Sequence, residues 1–219
     1  MLSKGNLLRE PRAIRIKFAK KGKLRFISHL DLSRTLTSAF LRAGIPIWYT
    51  QGFNPRPKLV FALTVSVGAE SVAEFLDIRI TREMSEIELK RRLQAALTSD
   101  LEILEVYRPT SKLQEVAFAE YDIFTEQELD PAAVNEALGG PLVVMVHGKN
   151  GDKEKDISSQ IVTVKVEGDR LSARLTAGQG NFLNPENFIK GVLDKLGCPD
   201  CFYFIRRTAC YKENGELYR

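Results

Sequence analysis

Residues 12–44 read RAIRIKFAKKGKLRFISHLDLSRTLTSAFLRAG. Ile14, Ile16 and Phe18 alternate with Arg15 and Lys17, the period of two expected of a half-buried strand. A basic turn follows, and at Ser28 the period changes. Ser28 is a good N-cap with Asp31 three residues on in a capping-box-like position, and Leu32, Leu36, Ala39, Phe40 and Ala43 then share one helical face. Gly44 and Pro46 end the helix. This strand, turn and helix open a strand-helix-strand unit.

Downstream, Leu59, Phe61, Leu63 and Val65 alternate as a second strand and Leu76, Ile78 and Ile80 as a third, with Gly68 as the turn between them. Ser85 and Glu88 start a second helix whose apolar positions are Ile87, Leu93 and Leu97, and residues 101–107 form a fourth strand. The order is β-α-β-β-α-β, the ferredoxin-like arrangement. The second half repeats it. Residues 117–124 read as a strand, Asp130 and Pro131 as the N-cap and first residue of a helix, and Leu142 to Val146 as a buried strand. Ile161 to Val166 and Leu171 to Thr176 form a hairpin, Pro185 to Leu196 a helix capped by Gly197, and Phe202 to Cys210 a last strand. One strand is surplus to a strict duplicate, and Lys149 to Lys155, KNGDKEK, has the composition of an exposed loop. The expected fold class is therefore α+β, with two ferredoxin-like βαββαβ units in tandem: a basic one at 1–110 and a more acidic one at 111–219.

Charge is unevenly spread. The net value of +4 combines a first 60 residues with 13 Lys and Arg, Lys4 among them, against Glu10 and Asp31, and a remainder with 19 basic and 26 acidic side chains. Such asymmetry points to a polyanionic partner. The composition, 44% apolar and 27% charged, is that of a globular protein. No run of about 18 apolar residues occurs, and MLSKGNLLREPR lacks the apolar stretch of a secretory signal, so a cytoplasmic protein with no membrane partner is expected. Three cysteines argue against a disulfide framework. Cys198, Cys201 and Cys210 are candidate metal ligands. Structural zinc usually wants four ligands and neither His29 nor His147 is near in sequence, so the plainer reading is two loop thiols and one strand thiol, with no metal and no cofactor.

Two segments carry the chemistry. Tyr49-Thr50-Gln51-Gly52-Phe53-Asn54-Pro55-Arg56-Pro57-Lys58 is stiffened by two prolines, so its cations can be held towards a ligand at little ordering cost, and Tyr49 and Phe53 can stack on bases. Trp48, beside Ile45-Pro46-Ile47, is expected to pack. Lys20-Lys21-Gly22-Lys23-Leu24-Arg25 delivers a basic turn to a helix start, where unpaired backbone N-H groups favour an anion. The expected RNA- or anion-binding set is Lys21, Lys23, Arg25, Ser28, His29, Arg34, Arg42, Gln51, Asn54, Arg56 and Lys58. His29 is the one candidate catalytic residue, as a general base towards a ribose 2′-hydroxyl; a lone histidine beside a cap is more often a surface or capping group.

The runs Lys23-Leu24-Arg25-Phe26-Ile27-Ser28-His29-Leu30-Asp31-Leu32, Arg42-Ala43-Gly44-Ile45-Pro46, Gln51-Gly52-Phe53-Asn54-Pro55-Arg56-Pro57-Lys58 and Val67-Gly68-Ala69-Glu70-Ser71 with Glu74-Phe75-Leu76-Asp77 resemble the radical-SAM-linked protein family, a bacterial domain of unknown function fused to or encoded beside radical-SAM proteins. The resemblance is specific over about residues 12–108 and looser beyond. It implies a radical-SAM protein as partner, and the gene setting usual for that family favours RNA, tRNA or rRNA, as the shared substrate. It supplies no catalytic residue. The chain lacks a Cys-x3-Cys-x2-Cys run, so it is not itself expected to hold a radical-SAM cluster.

Three functions remain open on these grounds. The first is a non-catalytic RNA-binding or adaptor partner of a radical-SAM enzyme. The second is a metal-independent endoribonuclease of the CRISPR-repeat-processing type using His29, with Ala177-Gly178-Gln179-Gly180-Asn181 as the one candidate glycine-rich loop. The third is a protein-protein adaptor without RNA.

Overall fold

The structure is a computed structural model and describes residues 7–148 and 151–219; the side chains of residues 147 and 148 also lie outside the description. Lys4, counted among the N-terminal cations, and Lys149 of the expected KNGDKEK loop are thus outside the described residues. The chain divides into two compact units, Met1–Leu113 with Arg219, and Gln114–Tyr218.

In the first unit the strands are β1 (Leu7–Lys20), β2 (Val60–Phe61), β3 (Glu70–Arg82) and β4 (Leu101–Tyr107), with helices α1 (His29–Arg42) and α2 (Glu86–Ala95). β1 pairs antiparallel with β3 and β4, and β2 pairs antiparallel with β3, giving the order β4-β1-β3-β2 of a ferredoxin-like unit. Ile14, Ile16 and Phe18 of β1 and Leu76, Ile78 and Ile80 of β3 form one core with Leu32, Leu36, Ala39 and Phe40 of α1 and Leu89 and Leu93 of α2. The caps are as expected: Ser28 accepts from the Asp31 N-H and Ser85 from the Glu88 N-H. Ile87, expected on the apolar face of α2, is 82% exposed, because the helix turns Leu89 and Leu93 inwards instead. The second strand is also shorter than its alternation predicts. Leu63 and Val65 leave the sheet, since after the Ala62 N-H bonds Phe75 the chain turns away and the Gly68 N-H reaches the Arg25 carbonyl.

The second unit contains β5 (Phe118–Thr125), α3 (Pro131–Leu138), β6 (Val143–Gly148), β7 (Gly151–Asp156), β8 (Ile161–Glu167), β9 (Arg170–Gly178), β10 (Asn181–Phe182), α4 (Pro185–Lys195) and β11 (Tyr203–Tyr211). β5 lies between β9 and β11, all antiparallel, and β8 pairs with the other side of β9. Leaving β6, β7 and the two-residue β10 aside, this is again βαββαβ in the order β11-β5-β9-β8. The surplus strand belongs to a separate two-stranded sheet, β6 with β7. Two expectations are corrected here. Residues 151–156 are not a loop but a fully exposed strand. Leu142 to Val146 is only half buried, because Leu142 and Val144 turn inwards while Val143 and Met145 are each 50% exposed.

Candidate nucleic-acid interface

The surplus of cations in the first 60 residues does not survive folding as one basic surface. β1 runs between β3 and β4, and those strands carry acids at matching register. Arg15 lies opposite Asp77 and Lys17 opposite Glu105. Arg15 is fully buried, and its Nε and Nη2 donate to the two Asp77 oxygens at 2.7 and 2.9 Å, while Ser111 and the Arg219 carbonyl take its remaining donors. The Lys17 ammonium is 3.4 Å from Glu105, the Lys21 ammonium 2.6 Å from Glu102, and Arg12 bonds the Met84 carbonyl and faces Glu86. Lys20 is buried and donates to the Arg25 carbonyl. Segment charge therefore overstated the accessible positive potential.

The basic turn after β1 is tightly tied. Gly22 adopts φ 56°, and its N-H donates to the buried Glu70 carboxylate at 2.8 Å; a side chain there would sit 2.8 Å from the Asp100 carboxylate. The Lys23 N-H donates to Asp100. At the helix start Ser28 donates its hydroxyl to Asp31 Oδ2 at 2.7 Å, and Arg34 pairs with the same carboxylate at 3.3 Å. The Ser28 hydroxyl, with help from Arg34, holds the Asp31 carboxyl below the usual carboxylate range. The positive end of α1 thus already has an acidic side chain in its first turn. Arg25 places its guanidinium 4.6 Å from the centre of the Phe26 ring, which is 61% exposed. Arg42 lies apart from these, donating to the Ala96 carbonyl just past α2, on a groove of about 460 Å³ lined also by Leu24, Thr35 and Arg92.

The proline-stiffened segment forms a hairpin-like excursion. The chain leaves β3 where the Trp48 N-H bonds the Arg79 carbonyl and rejoins it at Val60 opposite Asp77. In between, Tyr49 faces Pro57, the Thr50 N-H bonds the Arg56 carbonyl, and the Arg56 N-H returns to the Thr50 hydroxyl. Gly52 at the tip has φ 142°, a value that L side chains rarely adopt. Gln51, Phe53, Asn54, Arg56 and Lys58 are all exposed, Phe53 completely so, and Trp48 is half-buried. Among the described residues the side-chain charges of Lys23, Arg56 and Lys58 have no acidic partner. The excursion rejoins the sheet at β2, whose second residue, Phe61, touches the start of α1. The His29 ring stands edge-on to the Phe61 ring at 4.7 Å. In the sequence Phe61 reads only as a strand residue, with nothing to mark its contact with His29. Lys20, Glu70 and Glu74, all buried, were also missed; Lys20 and Glu74 sit in the phase of apolar neighbours, which was the available clue.

His29 is exposed and rests on Phe61; His147, the other histidine, belongs to the second unit. In that unit the glycine-rich Ala177 to Asn181 is a tight turn joining β9 to β10. Cys198 and Cys201 are half-buried in one turn, the Cys201 N-H bonding the Cys198 carbonyl, and burial with the nearby Cys201 pushes the Cys198 thiol up. Cys210 is buried nine residues further along β11, and among the described residues no three His, Cys, Asp or Glu side chains gather as a metal site. No described helix is long and apolar enough to cross a membrane.

No curated protein is significantly similar to the sequence. Among solved structures, a chain of a Cbf5-Nop10-Gar1 complex is similar over 91% of this chain at 11% identity and a TM-score of 0.45; the match spans 50% of that chain's length. An unknown protein from Galdieria sulphuraria is similar over 90% of this chain and 99% of its own, at 10% identity and a TM-score of 0.26. A family model described as an uncharacterized protein conserved in bacteria (DUF2344) matches residues 13–185, most of the sequence, and the chain belongs to that family.

Proposed function

We propose that this protein is a non-catalytic RNA-binding or adaptor partner of a radical-SAM enzyme, acting in the cytoplasm on tRNA, rRNA or the ribosome. The radical-SAM partner rests on the resemblance of residues 12–108 to the radical-SAM-linked family. The single observation that carries the RNA reading is the excursion at 48–58, a stiff segment that holds Arg56 and Lys58 in solvent without acidic partners among the described residues. Lys23 adds a third such cation. With so few phosphate contacts, affinity is modest and depends on salt.

An electrophoretic shift with tRNA and rRNA fragments at about 50 mM salt tests the RNA reading. Binding that weakens as salt rises and falls with Arg56→Glu and Lys58→Glu supports it; absence of binding by the unaltered protein removes it. Co-purification with the neighbouring radical-SAM protein, with and without nuclease, tests the partnership. Association that survives nuclease favours a direct protein adaptor, and association lost with nuclease favours an RNA bridge.

A further inference from the structure

The tip of the excursion specifies more than a polyanion. Phe53 has a relative exposure of 106%, the highest of the exposed large apolar side chains, and it belongs to neither the core of the first unit nor its partly buried fringe. Exposed apolar residues are ordinary where they are scattered on a surface. This one stands on a segment pinned at Trp48, Thr50, Arg56 and Lys58 by backbone bonds, with Pro55 and Pro57 removing conformational freedom. The side chains that flank it in sequence are mostly polar or cationic. Gln51 and Asn54 carry amides, which both donate and accept hydrogen bonds, and Arg56 and Lys58 carry the charge. Between Asp31 and Glu70 the sequence holds no acidic residue at all.

We propose that this tip recognises unpaired nucleotides, with the Phe53 ring stacked on a base, Gln51 and Asn54 towards base edges, and Arg56 and Lys58 on flanking phosphates. The proposal rests on the RNA-binding reading and gives it a substrate class. A paired base keeps both faces inside its stack, and the deep, narrow major groove of A-form RNA hides base edges from side chains; a loop, bulge or single strand offers both. A cationic hairpin meant only for duplex backbone has no use for a solvent-facing phenyl ring. An acidic protein surface would also attract the cations, and that occupant is separated by the test.

The experiment measures fluorescence anisotropy with a labelled unstructured 12-nucleotide RNA and with the same sequence as a 12-base-pair duplex, using the full chain at low salt. The expected result is tighter binding of the single strand. Phe53→Ala should weaken single-strand binding roughly tenfold or more while leaving duplex binding unchanged, and Phe53→Trp should retain it. Because Phe53 touches no core residue, Phe53→Ala should keep the wild-type circular dichroism and melting temperature, so a loss of affinity reports the contact itself. Equal affinity for strand and duplex, or a Phe53→Ala protein that binds like wild type while Arg56→Glu with Lys58→Glu does not, overturns base stacking and leaves RNA binding standing. Failure of the unaltered protein to bind either RNA removes the parent reading together with this one and favours a protein occupant.

Discussion

The two units insert an excursion at the same topological place, between the first helix and the second strand of a βαββαβ order, and use it in opposite ways. In the first unit residues 48–58 leave the edge of β3 and pack no side chain into the core. In the second, β6 and β7 pair with each other, and β6 presses onto α4. Leu142 and Val144 are buried there, and a side chain added at Gly191 would come within 2.5 Å of Val144 Cγ1. The charges differ as well. Residues 151–156 alternate acids and lysines to near balance, whereas residues 48–58 carry two cations and no acid. A packed, neutral hairpin reads as part of the scaffold. An unpacked, stiff and cationic one reads as a contact surface.

The sharpest way to break the comparison is to show that the cations of the first unit are interchangeable. Arg15→Met leaves Asp77 and the Ser111 and Arg219 oxygens without their common donor in a largely buried place, and unfolding in urea should show a loss of roughly 3 kcal/mol. Arg56→Met should change stability by less than about 0.5 kcal/mol, the usual range for an exposed site. Similar values for the two would dissolve the distinction between structural and presented charge.

In the second unit, Gly191→Val forces α4 away from β6 and should destabilise by about 1–3 kcal/mol through overpacking. A neutral result in thermal or chemical unfolding would mean that the β6-β7 hairpin is not docked. Next in size, if the proposed RNA reading holds, is the effect of Arg56→Glu with Lys58→Glu on RNA. Affinity should fall, and the slope of log affinity against log salt should shallow by about 1.4, two phosphates at roughly 0.7 each for a single strand, with the unfolding curve unchanged.

The smallest effect concerns Asp31. Its carboxyl is held below the ordinary range by Ser28 first and Arg34 second, so the folded value lies under the unfolded one. The stabilisation is present above the unfolded carboxylate range and is lost as pH falls through the depressed value. Melting temperatures taken between about pH 6 and pH 3 should therefore drop slightly less for Asp31→Asn than for wild type. Identical acid limbs would remove this carboxylate from the pH dependence.

Much of the fold could be read in advance because local and tertiary demands agree. Ile14, Ile16 and Phe18 alternate and are buried, and Ser28, Ser85 and Asp130 cap the helices expected of them. The failures occur where partners decide. Leu63 and Val65 alternate like strand residues, but the chain there turns to meet Arg25. Residues 151–156 have no apolar alternation, so only pairing with β6 makes them a strand. The excursion at 48–58 was visible through its prolines. The distribution of charge was not, because composition cannot show that β1 would lie between two strands able to supply Asp77 and Glu105.

The excursion also sets how much edge β2 presents. In this strand order β2 is the outermost strand of the first unit, and the chain's departure at 48–59 leaves it only Val60 and Phe61. Two residues present too short a row of unpaired amides and carbonyls to template a neighbouring strand, and Pro55 and Pro57 beside them offer no amide hydrogen. The projection that exposes cations thus also keeps β2 itself too short to act as such a template.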